Sequence, residues 1–226
     1  MSCLQEGVDM KRIKKDKEPI WFIKWKEEFE KNNSRKANYK DDFPQEKKRK
    51  LREHLLKEQG YICCYCMRRI QINNSHLEHF WPKDAFPEKD MDYENMLASC
   101  EGETIGEDHC GHRKNNYYDK NMIIPIDAMI EKMFHYIING DILPDGKNQI
   151  RKAAKDMIRE FGLNSFHLKR NRRLAIEESE VFDDCEYSKE EISDIINYYN
   201  SMENGKYQEY CKAIIDGLVW RLKMEI

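Results

Sequence analysis

No apolar run in these 226 residues approaches the ~20 needed to span a bilayer. The N-terminus also lacks the basic start, apolar stretch and small cleavage residues of a secretory signal. The sequence therefore reads as cytoplasmic, with no membrane partner. Internal repeats and low-complexity tracts are missing as well. A reducing compartment leaves disulfides a poor use for eight cysteines, and metal binding a better one.

What is present suffices for a packed core. Forty per cent of residues are apolar, with four Trp, twelve Tyr and nine Phe, while 36% are charged, so the surface must be densely charged. The net charge of −3 hides an asymmetry. Between Lys11 and Glu58 seventeen Lys and Arg face ten Asp and Glu; between Leu174 and Ile226 five face thirteen. A basic front favours an anionic polymer and an acidic tail does not, unless both are simply solvated helix faces.

Periodicity divides the chain into three regions: a basic arm and helices over 1–60, a Cys- and His-rich centre over 61–121, and a hairpin with a helical lobe over 122–226. Residues 1–18 lack periodicity and read as a loose arm or an added strand. Trp21, Phe22, Trp25 and Phe29 recur at helical spacing, a core stripe more often than a base-stacking one. Pro44 opens a second helix with Leu51, Leu55 and Leu56 on one face and Gly60 at its end. Phe134, Tyr136 and Ile138 alternate into Asn139-Gly140 and then Ile142-Leu143, a hairpin signal. Helices are expected over Gln149–Phe161, Ser165–Glu180, Ser188–Met202 and Lys206–Leu222.

The chemistry concentrates in the centre. Cys63 and Cys66 form a C-x-x-C pair, and Cys100 and Cys110 follow about thirty-five residues on. Four thiolates satisfy tetrahedral zinc and leave no open position, so such a site is structural. Cys64 competes with Cys63, and His109 with Cys110. Cys3, Cys185 and Cys211 have no partner pattern and read as ordinary thiols. Between the pairs lies Ser75-His76-Leu77-Glu78-His79-Phe80-Trp81-Pro82, extended by its aromatics and proline. In a strand, Glu78 and His79 face opposite sides, so one can bind metal while the other faces a water. His76 shares a side with Glu78 and could touch the same metal, a lesser rival than His109 for the last ligand position. Asn95 falls in a short segment over Tyr93–Ser99, and His112 in a helix expected after Cys110-Gly111. His54, His135 and His167 read as surface or satisfied core groups.

The order C-x-x-C, E-H-F-x-P, N-x-L before Cys100, and Cys110-x-His112-x-Lys114 resembles the HNH endonucleases. More narrowly it resembles the PtuB-type HNH subunit of Septu and retron-associated anti-phage systems. The opening Met10-Lys11-Arg12-Ile13-Lys14-Lys15 and Gly162-Leu163-Asn164 with Arg173 extend the resemblance along the chain. It implies an α+β fold in which a small ββα-metal HNH core with a structural four-cysteine zinc is embedded in a mainly helical chain. It also implies roles: His79 as general base, Asn95 fixing that base, and Glu78 and His112 as ligands of a catalytic Mg²⁺ or Mn²⁺. The implied activity is hydrolysis of DNA, or of RNA, in an oligomeric defence assembly with a PtuA-like ATPase. Gly111 stands where many members carry Asn or His, and Glu78 where many carry Asp. A different class of function, a zinc-stabilised binding module without catalysis, would need none of Glu78, His79 and His112.

Overall fold

The computed structural model describes residues 10–102, 106–179 and 187–224. Cys3, Cys185, Glu180 and the first nine residues of the expected arm lie outside them. Among the described residues the fold is α+β, with seven α-helices and two separate two-stranded antiparallel sheets.

Residues 10–18 do not hang loose, nor do they add a strand. Met10 and Ile13 are buried, the Ile13 amide donates to the Pro125 carbonyl at 2.9 Å and the Arg12 guanidinium to the Ile126 carbonyl at 2.8 Å. Two apolar side chains three apart among lysines were enough to dock the segment. Helix α1 (Ile20–Asn33) then buries Phe22, and Trp25 packs on Phe43 with ring centroids 4.9 Å apart. The aromatic stripe is thus a core feature. Helix α2 (Gln45–Glu58) is entered through Pro44 and buries Leu51, Leu55 and Leu56. Gly60 turns out of it at φ +59, a conformation that costs a residue with a side chain about 1 kcal/mol or more.

Strands β1 (Ser75–His79) and β2 (Met96–Cys100) pair antiparallel, with His76 opposite Ser99, Glu78 opposite Leu97 and His79 opposite Met96. The five-residue helix α3 (Cys110–Lys114) packs against β2. The cysteine-rich stretch before β1 supplies only an isolated bridge, Ile62 with Arg69, instead of flanking strands.

The hairpin forms as β3 (Phe134–Tyr136) and β4 (Ile142–Pro144). Ile138 lies beyond β3 and is exposed. Helices α4 (Asn148–Glu160), α5 (Phe166–Glu177), α6 (Lys189–Asn200) and α7 (Cys211–Met224) follow. The last begins five residues later than its periodicity predicts, because residues 203–206 close a bridge and Tyr210 adopts φ +54. In the Gly162-Leu163-Asn164 turn, the residue that matters is Arg172. Fully buried, it donates to the Gly140 carbonyl at 2.6 Å, the Leu163 carbonyl at 2.8 Å and Asn164 Oδ1 at 3.1 Å. Arg173 is a surface residue paired with Glu177.

One hydrophobic cluster runs through Leu55, Phe80, Phe161 and Leu218. The C-terminal lobe also grips the cysteine loop directly. The Tyr210 amide donates to the Met67 carbonyl at 3.0 Å, the Arg69 amide to Glu209 at 3.0 Å, and the Arg69 guanidinium to the Tyr207 carbonyl. No helix among the described residues is long and apolar enough to cross a membrane.

Candidate active site and metal centre

Strand β2 ends on Cys100 and α3 begins on Cys110, so sheet and helix deliver two thiols to the same point. The Cys63–Cys66 turn, held by the Met67 amide on the Cys63 carbonyl at 3.1 Å, delivers the other two. The four sulfurs lie within 4.8 Å of one another, all buried, and could hold a metal ion. Cys66 Sγ and Cys100 Sγ are 3.9 Å apart. Tetrahedral zinc with Zn–S of about 2.3 Å sets its sulfurs about 3.8 Å apart, so the donor set fits that ion. Burial alone would raise the Cys63 thiol, but neighbouring thiols, Cys100 and Cys110 foremost, hold it well below its usual value. Cys64 lies outside the set, its thiol pushed up by burial. His109 stands beside it, with Nδ1 3.2 Å from Cys110 Sγ. The six described cysteines are free thiols.

The alternation of β1 separates Glu78 from His79. Glu78, 6% exposed, turns toward α3 and the cysteine turn. Its Oε1 accepts from Tyr65 at 3.0 Å and from the Lys114 ammonium at 2.9 Å, and its Oε2 lies 3.3 Å from His76 Nε2. Burial would raise this carboxyl, but His76 and Lys114 hold it below the usual range; His76 is raised in turn because Glu78 outweighs its burial. Gly111 makes the packing possible. A Cβ there would stand 2.5 Å from Glu78 Oε2 and 2.6 Å from His76 Nε2.

His79 faces the other way, 5% exposed, under the edge of Tyr39 with ring centroids 4.6 Å apart. Its Nε2 lies 2.9 Å from the Asp90 carbonyl, which can only accept, so Nε2 carries the proton. Nδ1 is then the basic nitrogen, and it is buried without a protein partner. Burial first, then the Lys83 charge, lowers this histidine to about 4, so it is neutral at physiological pH. Lys114 spans both faces, donating also to the His79 carbonyl at 2.9 Å. Asn95 closes the 81–95 loop, its amide donating to the Trp81 and Lys89 carbonyls at 3.0 Å each while Oδ1 accepts from the Trp81 amide at 2.7 Å. Asn95 therefore reaches His79 through that loop, which presents Asp90.

His112 is placed on the exposed side of α3, 3.7 Å from Asp108. It does not join Glu78 and His76 in one donor cluster among the described residues. A further cluster, Asp16, His54 and Glu58, has the spacing for an ion. There Lys15 already supplies the cation: Glu58 accepts from its ammonium at 2.9 Å, from the Asp16 amide at 2.7 Å and from the Tyr93 hydroxyl.

Sequence reasoning assigned no role to Tyr65, Lys114, Gly111, Asp90 or Tyr39. For two of them a signal existed. Lys114 sits one helical turn from Gly111, on the face turned to Glu78, and Tyr65 is held between two cysteines.

A buried four-thiol cluster that could hold a metal ion stands beside a strand carrying a buried carboxylate and a buried histidine, and known proteins narrow the class to which such a site belongs. No family model matches the sequence. Over 135 residues, 58% of the chain, it is 30% identical to the "Retron Vc95 putative HNH endonuclease" of Vibrio cholerae. It is 31% identical over 137 residues to the Escherichia coli counterpart from retron Ec83. It is 28% identical over 93 residues to the Septu protein PtuB of Bacillus thuringiensis. The matches span 65%, 49% and 34% of those proteins' lengths, less than two thirds in each case. The chain is thus an HNH-type endonuclease relative, similar to the retron proteins that carry that name and related to PtuB.

Proposed function

We propose that this chain is a metal-dependent HNH nuclease that hydrolyses phosphodiester bonds, DNA first and RNA second, as the effector of an anti-phage defence complex. In this reading β1, β2 and α3 are the ββα-metal core, and Cys63, Cys66, Cys100 and Cys110 hold a structural zinc. His79 Nδ1 takes the proton from a water attacking in line at phosphorus, while its Nε2–H stays on the Asp90 carbonyl. Asn95 keeps the loop that presents this carbonyl in register. Glu78 Oε2 would hold a Mg²⁺ or Mn²⁺ ion, with His76 beside it and His112 as the ligand from α3. Such an ion would supply charge stabilisation at the phosphorane and the leaving oxygen.

The observation that carries the reading is a buried, neutral His79 with a free Nδ1, adjacent in sequence to a carboxylate held ionised. The relatives' names place retron and Septu systems in the background, so the assembly partner we propose is a PtuA-like ATPase. The acidic tail over 174–226, or the aromatic first helix, would dock on it, and the basic 1–60 region would lie toward nucleic acid. His79→Ala should cut cleavage of duplex DNA in Mg²⁺ or Mn²⁺ by at least about a hundredfold, with metal content unchanged and the fold retained. Parental cleavage rates in that variant would refute the assignment. Loss of metal and fold together with activity would return His79 to a structural role.

A further inference from the structure

Beside His79 stands a feature the catalytic reading does not use. Tyr39 lies edge-on to the His79 ring at 75°, and two ammoniums converge on Tyr39: Lys48 Nζ at 4.5 Å and Lys83 Nζ at 4.9 Å from its centroid. They arrive from different parts of the chain, Lys48 from α2 and Lys83 from the loop after β1. Among the described residues neither forms an ion pair; the Lys48 ammonium has only the Lys40 carbonyl, at 3.4 Å. Two acids near Lys83 each hold a hydrogen bond without closing an ion pair on it: Asp90 accepts from the Tyr39 amide at 2.9 Å, and Asp84 from the Asn116 amide group at 2.7 Å. Two ammoniums held against one ring without an ion pair to either gain from an anion that touches both. A phosphodiester is such an anion.

We propose that Lys48 and Lys83, both held against the Tyr39 ring, form a clamp for one backbone phosphate of the nucleic-acid substrate, and that this clamp sets the strand against His79. The two lysines are positioning residues. They bind a phosphate next to the reacting one and read no base. The clamp rests on the nuclease reading for its purpose, but its binding can be measured without cleavage.

The test uses the full chain carrying His79→Ala, short fluorescein-labelled DNA and RNA strands and duplexes, and anisotropy over a series of salt concentrations. Lys48→Ala and Lys83→Ala should each lower the slope of log affinity against log salt by about 1. At ~0.1 M salt each should weaken binding about tenfold, since one fewer counterion is released. Lys50→Ala is the control: Lys50 lies on the same helix, but its ammonium sits 4.7 Å from the Trp21 ring instead of against Tyr39, and its loss should leave the slope in place. Unchanged slopes for both clamp variants, an equal loss for Lys50→Ala, or no binding by the parent would each overturn the clamp. Binding with the predicted slopes by a protein whose unsubstituted form cuts nothing would keep the clamp and sink the nuclease.

Discussion

Replacing Lys114 by Met removes one charge at nearly constant volume and tests how the carboxylate half of the site is held. Lys114 is 1% and Glu78 8% exposed by side chain, so the pair is out of water. Breaking a buried pair from one side typically costs about 3–5 kcal/mol, because the other charge is stranded. Here Tyr65 and His76 still contact Glu78, which argues for about 3 kcal/mol. Against that, the His79 carbonyl loses its ammonium donor, worth about 1 kcal/mol more. Urea unfolding of Lys114→Met should therefore show a loss of about 3–4 kcal/mol. Adding Glu78→Gln should restore about 2 kcal/mol, since a neutral amide is no longer a stranded charge. A single-variant loss below about 1 kcal/mol, or a double variant no more stable than the single, would refute the reasoning.

Two further outcomes follow from the geometry. Cys66→Ser, or stripping with a strong chelator, should lower the melting temperature by about 6–12 °C, from at least about 3 kcal/mol of lost metal-linked stability; mass spectrometry of the intact protein should show one zinc in the parent and none in the variant. Gly111→Ala should destabilise by about 1–3 kcal/mol by urea unfolding, because the new methyl meets Glu78 and His76, whereas the same change in an open helix stabilises by up to about 1 kcal/mol. A stabilised variant would refute that packing.

The parts legible in the sequence were those written in local pattern. C-x-x-C spacing marked two of the thiols that gather with Cys100 and Cys110, and strand alternation separated Glu78 from His79. Hairpin and helices followed from period and from Gly60 and Gly140 at positive φ. What escaped was long-range pairing. Lys114 reads as one more surface lysine until β1 brings Glu78 to it. Asp90 enters the site because Asn95 folds a fifteen-residue loop back on itself, and Tyr39 is tied to it by its amide on the Asp90 carboxylate at 2.9 Å. Residues 10–18 looked unstructured because their partners, Pro125 and Ile126, are more than a hundred residues away. Arg172 shares an i, i+4 face with Leu168 and Ile176, a signal that its charge masks, so the resemblance to a family pattern points to its neighbour Arg173 instead.

The four-residue turn Cys63-Cys64-Tyr65-Cys66 serves two masters at once: its first and last members belong to the thiol cluster, and the phenol between them braces Glu78. An ion lost from the cysteines would unseat that phenol. Chelation therefore could not be read as a titration of the ion proposed at Glu78 alone. Inhibition by a zinc-selective chelator would report the loss of a brace, and only restoration by Mn²⁺ with a metal still on the cysteines would report the proposed second ion.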